Sequence, residues 1–243
     1  MRAMFEIRGL SKRFGGLQAV KAVDFDLAEG EVVGLLGPNG SGKTTVMNLI
    51  SGVFPANGGS IRLGGRRLDG LPAHRIAKEG VSRTFQLVRL APSLSVRQNV
   101  LLSLSFGARP VSGREAERRA DEALSRVGLE GVGDARVPDL NYIDQKRVEL
   151  ARAVATRPRL LLLDEWLAGL NPTELRAAIA LVGSLRDDGA TILLVEHIME
   201  AVRALCPRSI VMRAGEKIAD GPTAEVLNDR RVVEAYLGGA AHV

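Results

Sequence analysis

The chain has a single cysteine, Cys206, among 243 residues. That excludes an internal disulfide framework and a cysteine-ligated zinc site, and it suits a reducing compartment. No run of about 18 apolar residues occurs, and Met1-Arg-Ala-Met-Phe-Glu-Ile7 has no apolar h-region. Neither a membrane-spanning helix nor a cleaved export signal is expected. Aromatic residues are scarce at 4%, and the net charge of +5 is spread along the chain without a like-charged block. A groove that stacks and threads polynucleotide is therefore disfavoured, and no nucleic-acid partner is expected. A basic surface with a phosphate site is the plainer reading of the charge, and such a face also suits anionic lipid headgroups. Apolar residues at 46% and charged residues at 25% are ordinary for a globular protein long enough to bury a sizeable core.

What the chain does have is Gly37-Pro-Asn-Gly-Ser-Gly-Lys-Thr-Thr45. Gly37, Gly42, Lys43 and Thr44 complete the G-x-x-x-x-G-K-[ST] pattern of a triphosphate cradle. Its glycines let successive N–H groups turn inward where a Cβ would intrude. Lys43 brings a point charge to the β- and γ-phosphates, and the Thr44 hydroxyl suits Mg²⁺. Context supports the motif. Glu31-Val-Val-Gly-Leu-Leu36 reads as a buried strand before it, and Thr44 to Ile50 as a helix stopping at Gly52 after it.

The remaining signals fall into place around that loop. Strands are expected at Met4 to Arg8 and Val20 to Leu27, joined through Ser11-Lys-Arg-Phe-Gly-Gly16, with Phe14 read on its own as a buried anchor. A strand, glycine turn and short strand follow over residues 60–68, then a brief helix from Pro72 to Gly80. Val81 to Gln86 reads as a strand with Gln86 at its end, a surface glutamine or an amide that reaches a metal ion. Over residues 87–135 the strand signals fade, and Ser112 and Glu115 have capping-box spacing ahead of a helix stopping at Gly128. A second helix starts at Asn141. Arg159-Leu-Leu-Leu-Leu-Asp-Glu165 is apolar on both faces, as a central parallel strand should be, and it delivers Asp164 and Glu165 to its carboxyl end. In an open α/β sheet those ends line the ligand crevice, so Asp164 is placed to hold Mg²⁺ and Glu165 to orient or deprotonate water. Asn171-Pro-Thr-Glu174 starts another helix, Thr191 to Val195 is a further strand, and His197 lies just past its end, structural or hydrogen-bonding the γ-phosphate. Ser209 to Met212 is expected to close the sheet. With no internal repeat, one nucleotide site per chain is expected.

Taken end to end, these motifs resemble the ATP-binding subunit of ABC transporters, and more narrowly that of branched-chain amino-acid importers. The order matches: the loop from Gly37 to Thr45, Gln86, a signature segment at Leu140 to Gln145, the acidic strand end at Glu165, and His197. The narrower likeness rests on Arg13-Phe-Gly-Gly16, Arg83-Thr-Phe-Gln86, Ala168-Gly-Leu-Asn-Pro172, Val195-Glu-His197 and Val232-Val-Glu-Ala-Tyr-Leu-Gly238. The resemblance implies an α/β P-loop NTPase: a RecA-like core with a mixed sheet flanked by helices, an antiparallel β subdomain and an inserted α-helical subdomain. It implies one domain, with residues 1–86 and 151–243 as core and β subdomain and 87–150 as helical subdomain.

The same resemblance implies an ATPase with ATP and Mg²⁺ as cofactors. Glu165, His197 and Lys43 would be catalytic. Phe14 and Val20 would lie against the adenine, and Gly37, Pro38, Asn39, Gly40, Ser41, Gly42, Lys43, Thr44 and Thr45 around the phosphates. Thr44, Gln86 and Asp164 would face the metal. Such chains form head-to-tail dimers, so Asn141, Tyr142 and Ile143 would meet the nucleotide of a second ATPase subunit, different from or identical to this one. Two transmembrane permease subunits, served indirectly by an extracytoplasmic solute-binding protein, would place the chain on the cytoplasmic face of the inner membrane. Two other functions are weighed: a non-transport ABC ATPase acting on nucleic acid or the ribosome, and a weakly hydrolysing regulatory subunit.

One stretch departs from the family pattern. Where Leu-Ser-Gly-Gly-Gln is usual, this chain has Leu140-Asn141-Tyr142-Ile143-Asp144. Asn141 can still donate from its amide. Ile143 brings a β-branched side chain where glycine permits close approach, and Asp144 brings negative charge. Trp166 also replaces the proline common after the acidic pair. Two readings stay open: a weakened signature beside intact phosphate-loop residues, which would make the two sites of a heterodimer unequal, and a tolerated variant with normal turnover.

Overall fold

The computed structural model describes residues 3–237. Two antiparallel strands come first, β1 (Phe5–Phe14) and β2 (Leu17–Leu27), paired from Phe5↔Leu27 to Phe14↔Leu17. Both are longer than expected. Register shifts around Leu10 and Lys12 let pairing continue through Ser11-Lys-Arg-Phe14 to the turn at Gly15 and Gly16. With β4 (Gly58–Leu63) and β5 (Arg66–Arg67) they form a sheet of order β2-β1-β4-β5.

The main sheet begins with β3 (Val32–Leu36), followed by the phosphate loop and α1 (Lys43–Ile50). Next come α2 (Ala73–Lys78) and β6 (Val81–Arg83). This strand ends earlier than expected, so Gln86 lies beyond it. The Thr84 N–H still bonds Leu162, but the Phe85 N–H turns to the Glu149 carboxylate, and the chain leaves the sheet there.

The helical layer holds α3 (Val96–Phe106), α4 (Gly113–Arg126) and α5 (Tyr142–Ala155). Helix α3 was not foreseen, although Ser95 and Gln98 form a full capping box in front of it. At the start of α4 that spacing misleads: Ser112 makes no side-chain cap, and the Glu115 carboxylate goes to Arg118 and Arg119 instead of back to the N-cap. Helix α5 is capped by the Asn141 side chain on the Asp144 N–H at 2.9 Å. It runs to Ala155, so the boundary expected at residue 150 falls inside it.

The chain then alternates through β7 (Leu160–Asp164), α6 (Pro172–Asp187), β8 (Ile192–Val195), α7 (Met199–Leu205) and β9 (Arg208–Arg213). Strand β10 (Glu216–Pro222), α8 (Thr223–Val226) and α9 (Arg230–Leu237) follow. The six-stranded sheet has order β10-β9-β3-β8-β7-β6. Ser209 to Met212 therefore does not close it. Strand β9 pairs with β3 on one side, and β10 folds back antiparallel on the other.

Period-2 alternation divides the interior. Leu161, Leu163, Ile192 and Leu194 feed a core shared with the helical layer, α6 and α7. Leu160, Leu162, Leu193 and Val195 feed a second core shared with α1 and the smaller sheet. Register then sets depth: Leu35 pairs with Val195 and Val195 with Asp164, so β3, β8 and β7 end together.

Cys206 sits in the first core, 1% exposed, and burial pushes its thiol up to about 12. The raised value favours the protonated, folded form. As pH rises from 9.0 toward about 12 the unfolded thiol ionises and the folded one does not, so stability falls across that window. At pH 8, alkylation by iodoacetamide should run at least ~100-fold slower in the native protein than in denaturant, read by mass spectrometry. Equal rates would place Cys206 at the surface.

Candidate functional site

The phosphate loop leaves β3 through a backbone only glycine can supply. Gly37 has φ 142, and a Cβ there would lie 2.2 Å from the Met212 carbonyl oxygen. Gly42 has φ 107, and its Cβ would stand 2.6 Å from the Ala19 carbonyl oxygen. The loop is braced from outside. The Gly215 N–H donates to Ser41 O at 3.0 Å, and the Lys21 N–H to Gly215 O at 2.8 Å.

A cavity of about 640 Å³ opens over this loop. Asn39, Gly40, Ser41, Gly42, Lys43, Thr44 and Thr45 line its floor, and Glu165, Phe14 and the Ala214-Gly215 turn line its walls. Gly37 and Pro38 lie beneath, their carbonyls accepting from Lys43 Nζ at 2.7 and 3.1 Å. Burial pulls the Lys43 ammonium below the ordinary lysine value, while Glu165 and Asp164 oppose that shift. The buried Ser41 hydroxyl has no hydrogen-bond partner among the described residues. A glycine-built loop at a helix N-terminus, a buried ammonium and an orphaned hydroxyl fit a polyphosphate.

Glu165 stands across the cavity, while Asp164 beside it is 3% exposed and outside the lining. Asp164 ends β7, and Glu165 follows with φ 50, a left-handed conformation unusual outside glycine and held by its N–H on Val195 O at 2.8 Å. Gln86 Nε2 donates to Glu165 Oε2 at 2.7 Å, so leaving the strand does not remove it from the site. Thr44, Asp164 and Gln86 offer hydroxyl, carboxylate and amide oxygens, the hard donors Mg²⁺ takes. No cluster of three or more His, Cys, Asp or Glu that could hold a metal occurs among the described residues.

Not every expected residue converges here. Phe14, 39% exposed, lines the cavity, packed edge-on against Phe54 at 5.3 Å with the Lys12 ammonium 5.0 Å from its ring centre. Val20 does not line it: its side chain is fully buried in the second core, and Leu17, Gln18, Ala19 and Lys21 line the cavity instead. The strand's alternation turns Val20 inward. His197 is exposed just past β8 and outside the cavity lining.

Asn141, Tyr142 and Ile143 sit apart on the helical layer. The Asn141 amide is engaged, donating to Asp144 Oδ2 at 2.9 Å, and Arg147 holds the other Asp144 oxygen at 3.1 Å. Asp144 is thus charge-paired rather than free. Tyr142 is 49% exposed, whereas Ile143 is 9% exposed and turned into the layer.

Trp166 and Lys146 account for each other. Trp166 is the largest fully buried side chain among the described residues, and its Nε1 donates to the Lys146 carbonyl at 3.2 Å. Lys146 Nζ returns bonds to Trp166 O at 2.8 Å and Ala168 O at 2.7 Å. Burial lowers the Lys146 pKa, and buried Glu196 pulls it back. Sequence reasoning also missed Tyr236, whose hydroxyl accepts the Gly37 N–H at 2.8 Å from the far end of the chain. An aromatic on the amphipathic helix α9 was the only local signal.

Comparison with known proteins agrees with this geometry. The family profile described as ABC transporter matches residues 20–168, and one described as branched-chain amino acid ATP-binding cassette transporter matches 216–242. The chain is 41% identical to the high-affinity branched-chain amino acid transport ATP-binding protein BraF of Pseudomonas aeruginosa, covering 98% of this chain and 99% of that one. It is 33% identical to the lipopolysaccharide export system ATP-binding protein LptB of Escherichia coli K12, covering 97% and 98%. Among solved structures, an ATP-binding cassette of an ABC transporter in its ADP conformation superposes with TM-score 0.88 at 28% identity, covering 98% of this chain and all of the other. A dimeric post-hydrolysis cassette bound to ADP and Pi gives 0.80 at 28% identity, covering 90% and 98%.

Replacing Tyr236 by Phe leaves the Gly37 N–H unpaired at the root of the loop, a loss of roughly 0.5–1.5 kcal/mol. ATP affinity should weaken by about three- to tenfold in a fluorescent-nucleotide titration. Unchanged affinity would make the contact a packing detail of α9.

Proposed function

Since the chain belongs to the ABC transporter ATP-binding family, whose cassettes bind and hydrolyse ATP, we propose that it powers an importer of branched-chain or related amino acids. The observation that carries the ATPase reading is one cavity joining the loop amides, Lys43 and Glu165 at the common ends of β3 and β7. The amino-acid reading rests on 41% identity over nearly the whole chain to named branched-chain amino acid transport subunits and on the match over 216–242. The likeness to LptB shows why the nucleotide site alone does not name the cargo.

In this reading Lys43 exchanges the Gly37 and Pro38 carbonyls for phosphate oxygens, and Ser41 and the loop amides supply further donors. Thr44, Asp164 and Gln86 would hold Mg²⁺, which would supply charge screening to the phosphates. Glu165 accepts a proton from the attacking water, its carboxylate aimed by Gln86 and its backbone fixed on Val195. Phe14 offers its face to the adenine, and His197, outside the cavity lining, keeps the γ-phosphate role only by the family resemblance. Asn141, Tyr142 and Ile143 address the nucleotide of a second ATPase subunit across a head-to-tail dimer.

A second cavity, about 430 Å³, lies between α2, β6 and the helical layer, lined by Arg83, Phe85, Arg89, Phe106, Glu149 and Arg152 among others. We assign it to a cytoplasmic helix of a permease subunit. Two such subunits, with a solute-binding protein acting through them, would hold the chain at the cytoplasmic face of the inner membrane. No helix among the described residues is long and apolar enough to cross a membrane.

The Asn141-Asp144-Arg147 network favours one refinement. With the Asn141 amide already engaged, the signature offered to the partner's nucleotide is weaker than the site built by Lys43 and Glu165. The two sites of a heterodimer are then unequal.

Two measurements on the reconstituted transporter test these readings. Glu165→Gln in this chain alone should lower ATP hydrolysis at least ~100-fold while ATP binding persists; retention of most of the rate would move the working site to the partner. The combined change Asn141→Ser, Ile143→Gly and Asp144→Gln should raise transport-coupled hydrolysis or ATP affinity by about threefold or more, roughly one restored hydrogen bond. No gain in either would end the case for inequality.

A further inference from the structure

We propose that Arg83 is a positioning residue that sets how tightly the nucleotide site takes its divalent cation, by fixing the Asp164 carboxylate against α1. The inference rests on the reading of Asp164 as a metal-holding residue.

Arg83 is the last residue of β6, in register with Leu162 on β7 and so beside the strand end that carries Asp164. Its side chain is 6% exposed and that of Asp164 is 4% exposed. Nη2 donates to Asp164 Oδ2 at 2.7 Å. Nη1 donates to Asn48 Oδ1 and to Ser51 Oγ, each at 2.8 Å. Both acceptors lie at the end of α1, the helix that opens with Lys43 and Thr44. One guanidinium therefore ties the β7 carboxylate to the helix that carries the other half of the cation site. Phe85 packs against it, its ring centre 5.1 Å from the guanidinium carbon.

This arrangement costs desolvation. A buried ion pair is often no more stabilising than well-packed apolar residues of equal volume, so stability alone is a weak reason for it. Geometry supplies a better one. The guanidinium takes one oxygen of Asp164, while Oδ1 accepts no hydrogen bond from the described side chains. The fork ties Oδ2 to Asn48 and Ser51 through one rigid guanidinium and leaves the second oxygen available, a split contact that a lysine's single flexible ammonium cannot reproduce. Partners that orient a ligating carboxylate commonly alter metal affinity by about 10- to 100-fold when removed.

The test uses the full chain and a fluorescent ATP analogue titrated with Mg²⁺, in wild type, Arg83→Lys and Asp164→Asn. In Arg83→Lys the Mg²⁺ concentration that gives half of the affinity gain should rise about tenfold or more, while metal-free nucleotide affinity shifts by less than about threefold. Asp164→Asn should lose the Mg²⁺ response. If Asp164→Asn loses it but Arg83→Lys keeps the wild-type midpoint, or loses metal-free affinity and melting temperature together with no midpoint shift, the positioning role is overturned. If Asp164→Asn keeps the wild-type midpoint, the metal reading of Asp164 falls first and takes the proposal with it. Should Arg83→Lys fail to fold, Asn48→Ala removes one Nη1 anchor and leaves the ion pair; a rise of about threefold in the midpoint is expected, and no rise overturns the proposal.

Discussion

Everything at the nucleotide site depends on two parallel pairings, Leu35 with Val195 and Val195 with Asp164. They bring three strands to one depth, so a loop leaving β3 and a carboxylate ending β7 meet although more than a hundred residues separate them in sequence. A slip by one residue would turn Asp164 to the other face and send every apolar side chain of the strand into the wrong core. Burial on both faces makes such a slip expensive. The same hydrophobic alternation that folds the sheet therefore also aligns the site.

Around that register the protein buries charge in quantity. Asp164 with Arg83, Lys146 with the carbonyls of Trp166 and Ala168, and Glu196 on the Leu167 and His197 N–H groups all lie near the strand ends. Burial raises the Glu196 pKa, and the Leu167 and His197 bonds and charge oppose it. Glu149 is raised likewise by burial, against the bonds it takes from Phe85 and Arg89. Each of these groups is unfavourable on its own and tolerable only while its neighbours hold still. The loops after β6, β7 and β8 are thus mutually dependent.

How much of this was legible follows from where each signal resides. The phosphate loop, the apolar run of β7 with Asp164 and Glu165, and the Asn171 cap were readable because local chemistry forces them. Helix α3 was missed because its Val96, Val100 and Leu104 stripe lies among other apolar residues, and the cap spacing drew attention to Ser112 instead. The place of β10 at the sheet edge depends on which neighbour β9 chooses, which no local pattern records. Arg83 and Tyr236 stood inside quoted motifs, yet their partners lie 81 and 199 residues away. Contacts of that span are properties of topology. Trp166 looked like an isolated oddity until Lys146 appeared opposite it.

Helix α5 is held in its first half by the reciprocal Trp166 and Lys146 bonds. Asn141 lies on one side of that point and Glu149 with Arg152 on the other, together spanning about 1.5 Å per residue of stiff rod. Because a helix is stiff along its axis, the end that Asn141 caps and the end that lines the second cavity form one piece, and neither can slide without carrying the other.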